Sequence, residues 1–326
     1  MKKYLNIKSI AMSFALLGVV VLQSCNGSEE FDITGDPENK VFINTLYAGT
    51  PDIPQNSFIF SLLKTPINIS ISGATEMKAE FAVQCRLPAE KDIVVKFEID
   101  HSADVSSYMP FPSGVEVALD KNELIIPKGM TKSEEKITAT INSAHINLFS
   151  TLGAYMLPIK VASVQNASFP AASDLVTVPL IVKTAFSNIQ SVSSTASGTN
   201  ITKSSWTATV NGANAPNLVD NLTSGTYSTI SPGGNLEVDM KSVYPVSTIY
   251  LRYYTASYRM TSCNVYTKES EADQWELQGN ASTTVSNASH YIRFYSAVDA
   301  RFIRIEFLTG ANASYGAVLY EFYAHR

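Results

Sequence analysis

From Val41 onward the chain is written in short alternations of apolar and polar residues. "KAEFAVQCRL", "DIVVKFEID", "GVEVALD", "NELIIPKG", "EKITATI", "YMLPIKVASV" and "LVTVPLIVK" are rich in Val, Ile and Phe, and Pro, Gly, Asn or Asp bound them. Period-2 runs of that length predict strands with one buried face. In "KAEFAVQCRL" the alternation puts Phe81, Val83, Cys85 and Leu87 on one face, which makes Cys85 a small core residue. Pro127, Pro158 and Pro179 fall in or beside strands, where an edge or a bulge tolerates proline. Only "NSAHINLFS", residues 142–150, reads as a short helical crossing. The later runs "GGNLEVDM", "VSTIYLRYY", "SCNVYTKES", "QWELQG", "YIRFYS", "ARFIRIEFL" and "AVLYEFYAH" are again strand-like.

Between these two sets, "SNIQSVSSTASGTNITKSS" (187–205) is dominated by Ser, Thr and Asn and places a boundary near 185–190. The expected fold class is therefore all-β: one antiparallel sandwich over 41–185 and a second over 186–326. Residues 25–40 lack an apolar period and read as a tether.

The first 24 residues change the picture of where the chain works. Lys2, Lys3 and Lys8 precede an apolar stretch from about Ile10 to Leu22, the length of a signal sequence and too short to span a bilayer. Leu22-Gln23-Ser24-Cys25 resembles a bacterial lipobox, which implies cleavage after residue 24 and lipidation of Cys25. Two or three acyl chains anchor a protein stably to a membrane where one does not. The acidic patch Glu29, Glu30, Asp32 resembles the export signal of Bacteroidetes-type surface lipoproteins, implying an outer-membrane protein facing the exterior.

Charge and composition exclude several classes. Loss of residues 1–24, with three lysines and no acid, moves the net charge from −5 to −8, which with no basic cluster argues against a nucleic-acid partner. Cys85 and Cys263 fall in separate domains and read as two free buried thiols. His101, His145, His290 and His325 have no metal-ligand spacing and read as surface or isolated polar residues. No nucleophile elbow, zinc helix motif, phosphate loop or dinucleotide fingerprint is present, and Glu134-Glu135 and Glu269/Glu271 sit on polar turns, so no enzyme is expected.

"VQCRLPAEKDIVVKFEID", Tyr108, "NELIIPKGMTKSE" and "GAYMLPIKV" resemble an N-terminal domain of unknown function shared by many Bacteroidetes surface lipoproteins, which also precedes some endo-β-N-acetylglucosaminidases. The resemblance implies an immunoglobulin-like spacer without an active site, and the acidic strand motif of those endoglycosidases is absent. "VDNLTSGTYST", "NLEVDM", "NVYTKESEADQW", "DARFIRIEF" and "LYEFYAH" resemble, in order, the motifs of the discoidin or coagulation-factor type C domain. That resemblance implies a jelly-roll of the galactose-binding type, most of whose members bind carbohydrate or membrane lipid through loops at one end.

Many domains of that family hold a structural Ca²⁺, an ion that takes six to eight oxygens. Asp220, Thr226 and Glu321 match those positions, with Asn217 or Thr223 able to assist. Asn221 stands where the family has Gly and one residue is inserted before Thr226, so an Asx turn and a strand-end glutamate are the alternative. A sugar needs an aromatic platform and a few rigid polar groups. "RYYTASYRMTS" supplies Tyr253, Tyr254, Tyr258 and Arg259, and "GANASYGA" supplies Tyr315, with Asn312 as a further candidate. The resemblance implies that these two loops lie at the binding end, so Arg259 is expected as a hydrogen-bond fork and Tyr315 as platform; the alternative is that Tyr253 or Tyr254 belongs to the core by alternation and the rest are ordinary surface tyrosines. Trp206 and Trp275 read as structural. The expected function is glycan binding by a lipid-anchored surface protein that hands sugar to neighbouring glycan-uptake proteins in a polysaccharide-utilisation system. The alternative is a structural or adhesive lipoprotein binding a protein partner or host matrix.

Overall fold

The computed structural model describes residues 39–46, 48–167, 170–172, 175–203, 205–312 and 316–326. The signal sequence, Cys25, all but the last two residues of the tether, and Tyr315 lie outside the described residues. Among the described residues the structure is all strand apart from short 3-10 turns, of which Ser143–Leu148 sits at the expected crossing. No helix there is long and apolar enough to cross a membrane.

The first domain packs two layers. One sheet runs in the order Ile69–Ser72, Phe58–Lys64, Thr177–Phe186, Gly153–Gln165, Ile93–Ile99, Glu123–Ile126. Facing it are Met77–Phe81, Ile137–Ile141 and Val117–Leu119 in one ladder, and Val41–Ile43 with Val83–Cys85 in another. "KAEFAVQCRL" thus breaks at Ala82 into two strands with different partners. Phe81, Val83 and Cys85 are buried as the alternation requires, but Leu87 is 59% exposed. The strand has ended by then, and the Arg86 and Leu87 amides turn to the Asn39 side chain.

Pro158 and Pro179 do not lie on an edge, contrary to expectation: they pair directly with each other across two central strands. Each is tolerated because the next strand out stops there. Pairing on one flank begins at Ile159 opposite Ile99, and on the other at Leu180 opposite Phe58. In a non-hydrogen-bonded antiparallel pair the missing N–H groups face outward, and here no neighbour waits for them.

In the second domain two pairs of expected strands fuse. Asn235–Tyr253 is one strand of 19 residues and Ser289–Gly310 one of 22. They pair in three stretches, with register shifts between Asp239 and Tyr244, where Lys241 adopts φ 68°, and between Val246 and Thr248. Bulges bend strands, and residues on both sides of the bend reach one core: Leu236, Val238, Ile303 and Ile305 on one side, Ile249, Leu251, Tyr253 and Ile292 on the other. Cys263 lies in this core and Cys85 in the other, both as free thiols.

Only Ser187 and Asn188 separate the last strand of the first domain, Thr177–Phe186, from Ile189–Ser193 of the second sheet. Ser187 N–H donates to Lys64 O in the first domain. Asn188, 2% exposed, uses every polar group on the second: its N–H donates to Gln278 O, its carbonyl accepts from Tyr295 N–H, Nδ2 donates to Gln278 Oε1 and Ser296 O, and Oδ1 accepts from Ser296 N–H.

Candidate functional site

The final strand, Ala317–His325, lies between Ser228–Ile230 and the second half of Asn235–Tyr253. Leu319 and Phe322 both enter the core although their spacing is odd. The register shift between Arg252 and Tyr253 absorbs the extra residue, so Tyr320 and Glu321 both stay off the core face. Gly316, with φ 71°, starts this strand under tight constraint, because a Cβ there would sit 2.3 Å from Ile230 O.

At this end of the domain Tyr227, Thr229, Tyr254, Tyr258 and Val318 line a cleft of about 360 Å³. Tyr254 is its hub, held by its N–H on Val318 O at 2.9 Å. Its ring centroid lies 5.9 Å from Tyr227, 5.9 Å from Tyr258 and 5.5 Å from Tyr320, at interplanar angles of 54–64°. Tilted and edge-to-face arrangements are preferred by aromatic pairs over face-to-face stacking. Tyr254 remains 47% exposed and Tyr227 55%. Among the described residues that line the cleft none is acidic or basic.

Of the two adjacent tyrosines, Tyr253 is the core residue, 0% exposed, and Tyr254 the surface one. Arg259 is not a free fork: Nη1 donates to Ala256 O of its own loop at 2.6 Å, and Nε is buried without a hydrogen-bond partner. Asn312 is half-buried in the neighbouring loop, where Ala311 N–H donates to Arg259 O. The alternation did not flag Tyr227, Thr229, Val318 or Tyr320. Tyr227 stands in a Ser/Thr/Gly loop, and Tyr320 becomes a surface residue only through the bulge.

His290 and His325 are not surface residues; they are 2% and 8% exposed. Burial, and then the charge of Arg259, push His290 below the usual histidine range, against its hydrogen bond to Val285 O. Trp206 is 6% exposed in the core. Trp275 packs on the outer face, with the Arg304 guanidinium 4.2 Å and the Lys268 ammonium 5.1 Å from its ring centre.

The expected calcium residues are placed differently from one another. Glu321 is fully buried, whereas Asp220 and Thr226 are exposed. Asp220 Oδ1 accepts from Leu222 N–H in an Asx turn. Glu321 Oε1 bonds to Lys203 Nζ, and both side chains are at most 1% exposed. Lys203 also donates to Phe322 O at 3.2 Å and lies 3.7 Å from the Tyr323 ring centre. Burial pushes the Glu321 carboxyl up and the Lys203 ammonium down, and the ion pair opposes both shifts. Among the described residues no three His, Cys, Asp or Glu side chains converge as a metal cluster.

Residues 194–321 match the F5/8 type C domain family, and residues 38–168 match a second family described as an N-terminal domain. The second half of the chain is thus a discoidin-type domain, and no catalytic domain was found. Curated proteins gave no match. The whole chain is similar to a two-domain protein of unknown function from Bacteroides fragilis NCTC 9343: 15% identity, 99% of this chain and 100% of the other covered, TM-score 0.61, a likeness of fold. Over its second domain it is similar to the family 32 carbohydrate-binding module of C. perfringens NanJ in complex with galactose (18% identity, 39% and 98% covered, TM-score 0.33). It is also similar to chitosan-binding module 2, in complex with chitotriose, from a Paenibacillus sp. IK-5 chitosanase/glucanase (20% identity, 39% and 98% covered, TM-score 0.32).

Proposed function

We propose that this protein binds glycan in the tyrosine cleft of its second domain and performs no catalysis of its own. In this reading a lipid on Cys25 holds it at the outer membrane with the cleft outward, where it passes glycan to neighbouring uptake proteins. One observation carries the assignment: three tyrosines meet around a single uncharged concave site, with Tyr254 at the centre and a fourth ring behind it. Pyranose rings offer an apolar C–H face and a rim of hydroxyls. Tyrosine answers both at once, with a ring face and a phenolic group. The F5/8 type C match over the same residues supports the reading.

Arg259 takes a supporting part here, bracing the 256–259 turn that carries Tyr258 rather than reaching for sugar. A single shallow site of this kind binds at roughly 10 µM to 1 mM, about −4 to −7 kcal/mol, and display of many copies raises avidity. A glycan-array screen of the chain from residue 26, followed by calorimetry on the best ligand, tests the proposal. Tyr254→Ala should weaken binding at least about tenfold while the protein stays folded. A folded wild type that binds no glycan, or a Tyr254→Ala variant that binds as well as wild type, overturns it.

A further inference from the structure

The Lys203–Glu321 pair sits where the resemblance implies a divalent ion, and it answers differently the question of which cation serves that carboxylate. We propose that the Lys203 ammonium is the cation of this loop, a tethered replacement for calcium, so that the discoidin-type domain keeps its fold and its cleft without a metal.

The argument starts from how Lys203 is delivered. Ile201 and Trp206, 5% and 6% exposed, pin the segment on both sides into the core. Thr199 N–H donates to Arg326 O, just past the last strand, and Ile201 N–H to Ala324 O within it. The lysine is thereby laid across the outer face of the strand that carries Glu321. There it finds a carboxylate oxygen, a backbone carbonyl and an aromatic face. Such a set, two oxygens and a ring, suits an ammonium with three donors. It does not suit Ca²⁺, which requires six to eight oxygens.

The remaining acidic group does not change this. Asp220 adds negative charge felt by both Lys203 and Glu321, yet it is exposed and bonded within its own turn. The Asn221 backbone N–H also lies toward the Glu321 carboxylate, and Oε2 is buried with no close hydrogen bond of good geometry. A divalent ion drawn to that oxygen would sit beside a buried ammonium on the same carboxylate, and like charges at that range in a dry site repel strongly. The buried lysine therefore excludes the metal on two grounds, by occupying the place and by its charge.

The test follows unfolding of the chain from residue 26 by tryptophan fluorescence. Both tryptophans, Trp206 and Trp275, lie in the second domain, so the signal reports that domain alone. Wild type should melt within about 1 °C of the same temperature in EDTA and in millimolar calcium chloride, since a ligand that does not bind does not stabilise. Lys203→Met should lower the midpoint by on the order of 10 °C, because it strands a buried carboxylate. Lys203→Met combined with Glu321→Met should recover much of that loss. A calcium-dependent rise of roughly 5–10 °C in wild type that disappears in Glu321→Gln overturns the proposal. So does Lys203→Met melting like wild type. If Lys203→Met fails to fold, the wild-type calcium comparison alone decides. The outcome is independent of whether any glycan binds.

Discussion

The two halves of this chain are built from the same material and use aromatic rings in different ways. In the first sandwich Phe81 meets Phe97 edge-on at 5.3 Å, and Phe149 meets both Phe111 and Tyr155 at 5.2 and 5.0 Å, all inside or against the core. The second also buries Trp206, Tyr253, Phe307 and Phe322, but many of its tyrosines lie off the core. Tyr250 stacks on Tyr291 at 4.4 Å and on Tyr323 at 5.3 Å, and a separate group frames the cleft. Of the 16 tyrosines, 12 follow Phe186. Phenylalanine packs the first core, whereas tyrosine on an outer face keeps a polar group at its rim, available to a partner.

The largest effect that sharpens this contrast is expected in the first core. Phe149→Ala removes a fully buried ring and should cost about 3–5 kcal/mol in denaturant unfolding of that domain, leaving the cleft's ligand affinity unchanged. Loss of affinity in a folded Phe149→Ala protein would break the division of labour. Asn188→Ala is next: leaving several buried backbone and side-chain partners unmatched should cost about 2–3 kcal/mol by tryptophan-monitored unfolding. If it costs nothing, the joint is not a structural element. Tyr254→Ala reverses the pattern, with a stability change of about 0.5 kcal/mol or less but binding weakened at least about tenfold.

The smallest effect is electrostatic. The folded state holds His290 neutral below the ordinary histidine value of 6.5, while the unfolded chain protonates near it. As pH falls through that value the unfolded state takes up a proton the folded state refuses, so stability of the second domain should decline as the pH drops below about 6.5. His290→Asn should flatten that slope in a melting series. An unchanged slope would mean other groups set it.

How much of this was legible in the sequence depended on how far each feature reaches. The alternations from Met77 to Phe186 marked most of the strands, because one buried face writes itself directly into period two. Phe58–Lys64 and Ile69–Ser72 escaped because their faces are only half-buried and the pattern fades. The register of Pro158 against Pro179 depends on where flanking strands stop, which neither segment records. The same holds for the site. Tyr254 and Tyr258 were visible as an aromatic-rich loop, but Tyr227 joins them from a distant turn and Tyr320 through a bulge. Lys203, one lysine in a Ser/Thr-rich run, carries no local signal at all. Its partner is 118 residues away.

The two-residue joint has a mechanical consequence. A polymer held in the cleft and dragged by flow or by a moving cell would load Ser187 and Asn188 in series with both sandwiches. The load would meet a cluster of short hydrogen bonds on one side and a backbone bond to Lys64 on the other, with no slack chain to extend first. The weakest link under pull is then the Lys64–Ser187 contact, and the joint should yield by peeling the second domain away from the end of the first, not by stretching a linker.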